Sequence, residues 1–191
     1  MTVPVLEDKP LVGAGGGVYA APALTDIPTD FDAIKTTPWL YLGLISEDGV
    51  SYTPLEEETE DIKVWQLAFP WDVVTTGQAS SIAFALAQWN QKSVEFMFSG
   101  GTWDDAGLEV STFTPPGLGE TIDTSVFLHV VTSVGGNMGV YYRRAKVTKR
   151  EDSTFNKGEM STLGMTVTML GVEGEAPQIL MFDKGGVVVA P

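Results

Sequence analysis

The stretch IDTSVFLHVVTSVGGNMGVYYRRAKVTKR, residues 122–150, carries two runs rich in Val, Thr and Tyr on either side of Gly135-Gly136-Asn137. β-branched and aromatic side chains fit a pleated surface, and paired glycines supply the backbone freedom of a tight turn. The stretch therefore predicts a long hairpin with arms at 122–134 and 138–150. Its surroundings follow the same pattern. Residues 160–170 alternate, with Leu163, Met165, Val167 and Met169 on one face. Within 75–89, Ile82, Phe84 and Leu86 share one face and Ala83, Ala85 and Ala87 the other. All six are apolar, so this strand is expected to be buried on both faces or pressed against another subunit.

Shorter runs at 18–21, 39–45, 62–69 and 108–113 read as further strands, and those at 178–182 and 187–189 as a last strand or an arm. One helix is expected at 90–98. Asn90 is placed to cap it, Val94, Met97 and Phe98 fall at helical spacing, and Gly100-Gly101 ends it. Short strands punctuated by turn signals predict a mostly β fold, an antiparallel sandwich or barrel with one short flanking helix. Without an internal repeat or a low-complexity linker, the 191 residues are expected to form one domain. An N-terminal arm to about residue 16 and a C-terminal strand or arm from about 172 complete it.

Lys plus Arg number 11 and Asp plus Glu 25, a formal charge of -14. Such a surface repels nucleic acid, because tight binders neutralise phosphates with Lys and Arg. There is no cysteine, which excludes disulfides, thiolate metal sites and cysteine nucleophiles. The opening MTVPVLEDKP lacks the basic start and apolar core of a signal peptide, and no run approaches the ~20 apolar residues of a membrane-spanning helix. A soluble protein made in the cytoplasm is expected.

The charges are unevenly placed. Seven of the sixteen residues from 46 to 61 are acidic: Glu47, Asp48, Glu56, Glu57, Glu58, Glu60 and Asp61. The segment reads as an extended acidic loop between strands. Its carboxylates are too contiguous for the alternating ligands of a calcium loop, and Asp48-Gly49 reads as a turn. Five of the eleven cations, Arg143, Arg144, Lys146, Lys149 and Arg150, lie within eight positions. They guard a strand edge, or they meet an acidic surface: the acidic loop of the same chain, or that of a neighbour in self-assembly.

No catalytic set emerges. Gly13-Ala14-Gly15-Gly16-Gly17 is followed by Val18-Tyr19 where a phosphate loop needs Lys and Ser or Thr, so it reads as an arm or turn entering the first strand. The one histidine, His129, lies mid-strand with no nucleophile-elbow sequence, and reads as a satisfied or half-exposed strand residue. Asp104-Asp105 after Trp103 suggests a sugar platform, but tryptophans in a β-rich chain are more often core and interface residues. No enzyme activity, metal or cofactor is expected.

Several segments in order carry a resemblance. They are Gly17-Val18-Tyr19-Ala20-Ala21-Pro22, Leu42-Gly43-Leu44-Ile45-Ser46-Glu47-Asp48-Gly49-Val50 and Thr59-Glu60-Asp61-Ile62-Lys63-Val64-Trp65. Phe98-Ser99-Gly100-Gly101-Thr102-Trp103 and Lys157-Gly158-Glu159 follow. Together they resemble the major tail, or tail tube, proteins of siphovirus-type phages, particularly those of actinobacteria. The resemblance spans about 13–170. It implies a β-sandwich with one flanking helix, whose copies form six-membered rings that stack into a hollow conduit for DNA. It implies a tape measure protein, a tail terminator and a distal tail protein as partners, and DNA that passes without specific binding. It also implies that the connection at 46–61 reaches an adjacent ring. Some of its acids are then expected to meet basic groups of a neighbour, the cations at 143–150 being the leading candidates. A tail terminator, a secretion-tube subunit, a monomeric carbohydrate-binding module and a small hydrolase stay open as other readings.

Overall fold

The computed structural model describes residues 13–105, 109–133 and 136–183. The arm before residue 13, Leu108, Gly135 of the hairpin turn and the strand expected at 187–189 lie outside them. In chain order the elements are β1 (Gly13–Pro22), β2 (Leu40–Tyr41), β3 (Ile45–Ile62), β4 (Asp72–Leu86), α1 (Gln91–Phe98), β5 (Thr102–Asp104), β6 (Thr112–Thr114), β7 (Thr124–Thr132), β8 (Asn137–Arg150), β9 (Leu163–Met169) and β10 (Gln178–Phe182).

The hairpin read first from the sequence is β7–β8, and β8 organises the rest. One edge of β8 pairs with β7; the other is divided between β10, on residues 138–142, and β9, on residues 145–150. The hydrogen-bonded path β2-β1-β7-β8-β9-β4-β3 is antiparallel throughout and does not close into a barrel. β5 and β6 form a separate small sheet.

The two halves of this path face each other across the main core. Val18, Val126, Leu128, Val140 and Tyr142 from β1, β7 and β8 meet Ile82, Phe84, Leu86, Leu163, Met165 and Val167 from β4 and β9, and α1 adds Phe96 and Met97. The fold is thus a sandwich with one flanking helix. On the opposite face of β7–β8, Phe127 and Tyr141 join Ala21, Ile34 and Trp39 in a second cluster beneath the 23–42 connection. Two cores on opposite faces explain why the hairpin carries apolar residues at successive positions. The expected face of β9 is buried at Leu163, Met165, Val167 and Met169, while Ala83 and Ala85 of β4, and Ala87 just beyond it, are half-exposed.

α1 begins as expected. The Asn90 side chain accepts from the Ser93 backbone N–H, and Ser93 reciprocates on the Asn90 N–H at 3.0 Å each. The left-handed cap position belongs to Ser99 (φ 58°), one residue before the glycines.

Three expectations are corrected. The acidic segment 46–61 is not a loop: it lies in β3, a strand of 18 residues. Residues 63–71 form the turn between β3 and β4, so the strand expected at 62–69 is absent. The glycine run is neither arm nor turn, since Gly13–Gly17 are strand residues paired with 129–132 of β7. At Gly16 (φ 148°) a Cβ would lie 2.0 Å from the His129 carbonyl oxygen, so glycine permits that approach. The run at 39–45 contributes only the short β2 and the first residue of β3.

Tyr142 is fully buried, and its hydroxyl lies 2.7 Å from Ser80 Oγ. Because Ser80 donates to the Thr53 carbonyl at 2.8 Å, the phenol is the donor to Ser80. Burial pushes the phenol pKa up to about 12 from 10.0. The fold therefore favours the neutral phenol. Its stabilisation is complete below pH 10 and is lost as the pH rises toward 12, because the unfolded phenol ionises first. Between pH 10 and 12 wild-type stability in urea is expected to fall about 2 kcal/mol more than that of Tyr142→Phe. Parallel pH profiles for the two proteins would refute this.

Candidate assembly surface

β9 covers β4 only at 81–86, so the rest of the β3–β4 ladder, 55–62 opposite 72–79, projects as a two-stranded arm. Seven residue-to-residue steps at ~3.3 Å each give it a reach of about 23 Å. Every β3 residue of the arm is exposed. It bears Glu56, Glu57, Glu58, Glu60, Asp61 and Asp72, and one cation at its tip, Lys63, 3.6 Å from Asp61. Glu57 is held across the ladder, accepting from Thr75 Oγ1 at 3.3 Å and Gln78 Nε2 at 3.2 Å. Glu47 and Asp48 sit apart, exposed at the irregularity between Ile45 and Val50 at the base of β3. The seven acids are thus two groups on one strand.

The end of the arm is apolar. Trp65 is 99% exposed, Phe69 81% and Trp71 70%, with Leu67 beside them. Monomer surfaces seldom present so much contiguous apolar area unless it is used for contact. The sequence signal for this tip is three aromatics within seven positions; read as a strand, that run hid their exposure.

The basic residues of β8 are mostly occupied by other parts of the chain. Arg143 lies 3.3 Å from Asp26 and 2.6 Å from Glu175, pinning the 23–42 and 171–177 connections to the sheet. Arg144 holds Asp123 at 2.7 Å. Lys149 lies 3.3 Å from Glu151. Arg150 donates to the Met97 carbonyl at 2.7 Å and stands 5.6 Å above the Phe98 ring, a cation at the C-terminal end of α1. Half-buried Lys146 has no ion pair among the described residues. None of the five reaches an arm carboxylate within the chain.

Two concavities flank this framework. An apolar groove of about 340 Å³ runs between β1–β2 and α1, lined by Ala21, Pro38, Leu40, Leu42, Phe96 and Ile122, with Lys92, Glu95 and Asp123 also on its walls. The second holds His129, whose Nε2 lies 2.8 Å from Asn137 Oδ1 while Asn137 Nδ2 donates to Asp183 at 2.7 Å. The His129 ring stacks on Phe31 with centroids 5.2 Å apart. It is a satisfied strand histidine with no nucleophile among its bonded partners. Asp104 and Trp103 belong to β5, where Trp103 packs on Phe113 at 4.9 Å rather than offering an open platform. Among the described residues no three His, Asp or Glu side chains converge as metal ligands.

An exposed acidic arm with an apolar end, on an open sheet, is a surface built for contact. A family model described as phage tail tube protein matches residues 5–188. The chain belongs to the phage tail tube protein family. Members of that family are structural components of the tail, so the chain is a structural tail component and not an enzyme. No curated protein matches it. Among solved structures it is similar to a chain of an extracellular contractile injection system, the PVC sheath–tube complex in its extended state. The identity is 9% and the TM-score 0.51, with 95% of this chain and 99% of that one covered. A second likeness is to the anti-feeding prophage cap, described as the AFP tube terminating cap, at 8% identity and TM-score 0.42, with 95% and 100% covered. The first shows that the chain shares its fold with a component of a contractile injection system.

Proposed function

We propose that this chain is the repeating subunit of a siphovirus-type tail tube. Six copies form a ring, rings stack, and the hollow stack conducts DNA from capsid to host. The observation that carries the reading is the family match over 5–188. The open sheet supports it. Strands with free edges are normally covered, shortened or paired, yet β3 is 18 residues long and pairs, among the described residues, with β4 alone. In a ring, neighbouring copies would supply what the monomer lacks.

The charge fits a conduit. Copies at -14 each repel phosphates wherever carboxylates face the lumen, within the roughly 8 Å that physiological salt allows. DNA then passes without binding the wall. In this reading the 191 residues act as one tail tube domain made in the host cytoplasm and carried in the virion. The arm bridges rings, its acids meeting cations of a neighbour; Lys146, without an ion pair among the described residues, and the exposed Lys149 are the nearest to free among the five at 143–150. By family resemblance the tube encloses a tape measure protein and meets a terminator and a distal tail protein at its ends.

Purified protein examined by light scattering and negative-stain microscopy tests the proposal. Long hollow tubes with six-fold end views are expected. Single rings that never stack would assign a terminator instead, and a monomer stable at high concentration would overturn the tube reading.

A further inference from the structure

The apolar arm tip and the apolar groove beside α1 are both unfilled and belong to different ends of the same strand system. We propose that the tip of the β3–β4 arm of one copy seats in the β2–α1 groove of a second copy, Trp65 entering against Leu40, Leu42, Phe96 and Ile122 while Phe69 and Trp71 pack at its mouth. This rests on the reading of the chain as a stacking tube subunit and names the socket that the arm uses.

The tip comes first. Trp65, at 99% exposure, makes almost no contact with its own chain, so its indole is free to transfer whole into a neighbour. Aromatic side chains bury ~150–250 Å² each, and tryptophans dominate the energetics of contact surfaces. A two-stranded hairpin is marginal in water by itself, so an arm of this length gains its order from what it touches.

The groove has matching chemistry. Its lining is largely aliphatic and aromatic, and Ile122 on its wall is 62% exposed. Its volume of about 340 Å³ is at the low end of small-molecule sites and suits one or two aromatic rings. Its rim is electrically balanced. Lys92 and Glu95 lie on one wall, and on the other Asp123 is paired with Arg144 at 2.7 Å. On a chain of -14, this is a place where an acidic stem approaches without meeting uncompensated carboxylates.

The symmetry follows from the parts. Tip and groove are different patches of one chain, so the contact is head-to-tail, and such a contact propagates from copy to copy wherever the rotation between copies does not close it into a ring. Stacking needs a contact of that kind.

The chain has no cysteine, so introduced thiols are unique. A Gln66→Cys, Ile122→Cys double variant leaves the tip aromatics in place. Assembled tubes treated with a short bis-maleimide should give, on a denaturing gel, a ladder that continues past the hexamer. Each single variant should give dimers at most. Normal tubes without the ladder would overturn the proposal. Wild-type chain that forms no tubes at all would instead defeat the tube reading, before any crosslinker is added. Should the double variant fail to assemble, the two single variants co-assembled with wild-type chain must yield a 66–122 crosslinked peptide by mass spectrometry; its absence overturns the contact. As a second arm, Ile122→Asp lies outside both cores and should keep the monomer's thermal midpoint while lowering pelletable polymer at least ten-fold. Undiminished polymer would refute the socket.

Discussion

Glu56→Lys, Glu57→Lys and Glu58→Lys made together are expected to leave a folded monomer that no longer polymerises at wild-type concentrations. The three side chains are exposed on the arm, beyond the part of β4 that β9 covers. Exposed substitutions of this kind usually change stability by no more than ~0.5 kcal/mol each. Glu57 has the most to lose within the chain, its hydrogen bonds to Thr75 and Gln78, both longer than 3.1 Å. The assembly contact is affected differently. Each reversal removes an attraction to a neighbour's cation and adds a repulsion of similar size, with exposed pairs worth ~0.2–1 kcal/mol. Three reversals per contact then amount to about 1–6 kcal/mol, a rise of roughly ten-fold to ten-thousand-fold in the concentration needed for tubes. Salt supplies a sign check. Screening weakens the wild-type attraction and the variant's repulsion alike, so the two proteins should converge as ionic strength rises. Replacing Glu109, Asp152 and Glu173 with lysine makes the same change in net charge away from the arm. Sedimentation of both triple variants separates position from charge: if the arm variant pellets like the control, the arm has no part in stacking.

The part of the fold that the sequence discloses is the part whose burial differs between strand faces. Leu163, Met165, Val167 and Met169 alternate with half-exposed or small neighbours, and all four are buried in β9. The cap at Asn90 was legible because one side chain three residues before its target suffices to make it. The arm lacked any such signal. Both faces of 55–62 are exposed, so its residues obey no period of two, and an exposed strand reads like a loop. What holds it extended is backbone pairing to Val73, Val74 and Thr75, residues a dozen or more positions away. The glycine run of β1 hid in the same way. Its structure is dictated by the His129 carbonyl and the Tyr41 ring, which the local sequence does not contain. The basic cluster was visible as composition, but its partners Asp26, Glu175 and Asp123 are brought in by topology. The candidate contact surface was therefore half legible: its charges were, while its apolar tip and the groove were not.

Gly139→Ala is expected to destabilise the wild-type monomer and to become neutral or stabilising once Phe127 is removed. Gly139 is buried in β8, between His129 of β7 and Met181 of β10. A Cβ there would lie 2.3 Å from Phe127 Cζ. The ring cannot simply swing away. Phe31 and Trp39 pack edge-on against it at 6.2 and 6.0 Å, and it is fully buried. Overpacking of this kind costs ~1–3 kcal/mol. Phe127→Ala alone should cost ~3–5 kcal/mol, because it empties the centre of the second cluster. That is a large share of the 5–15 kcal/mol typical of a whole domain. In the double variant the clash has gone. The new methyl fills part of the cavity, and alanine loses less backbone entropy than glycine on folding, a gain of ~0.4–1 kcal/mol where φ is compatible. Gly139 is not among the positive-φ glycines, so that condition holds. The two changes should therefore fall short of additivity by about 1–3 kcal/mol, as contacting residues do. Urea unfolding of the four proteins at equal slope measures the cycle. Additive losses would mean that Phe127 does not occupy the space above Gly139, and the packing that joins β7, β8 and the 23–42 connection would need a different explanation.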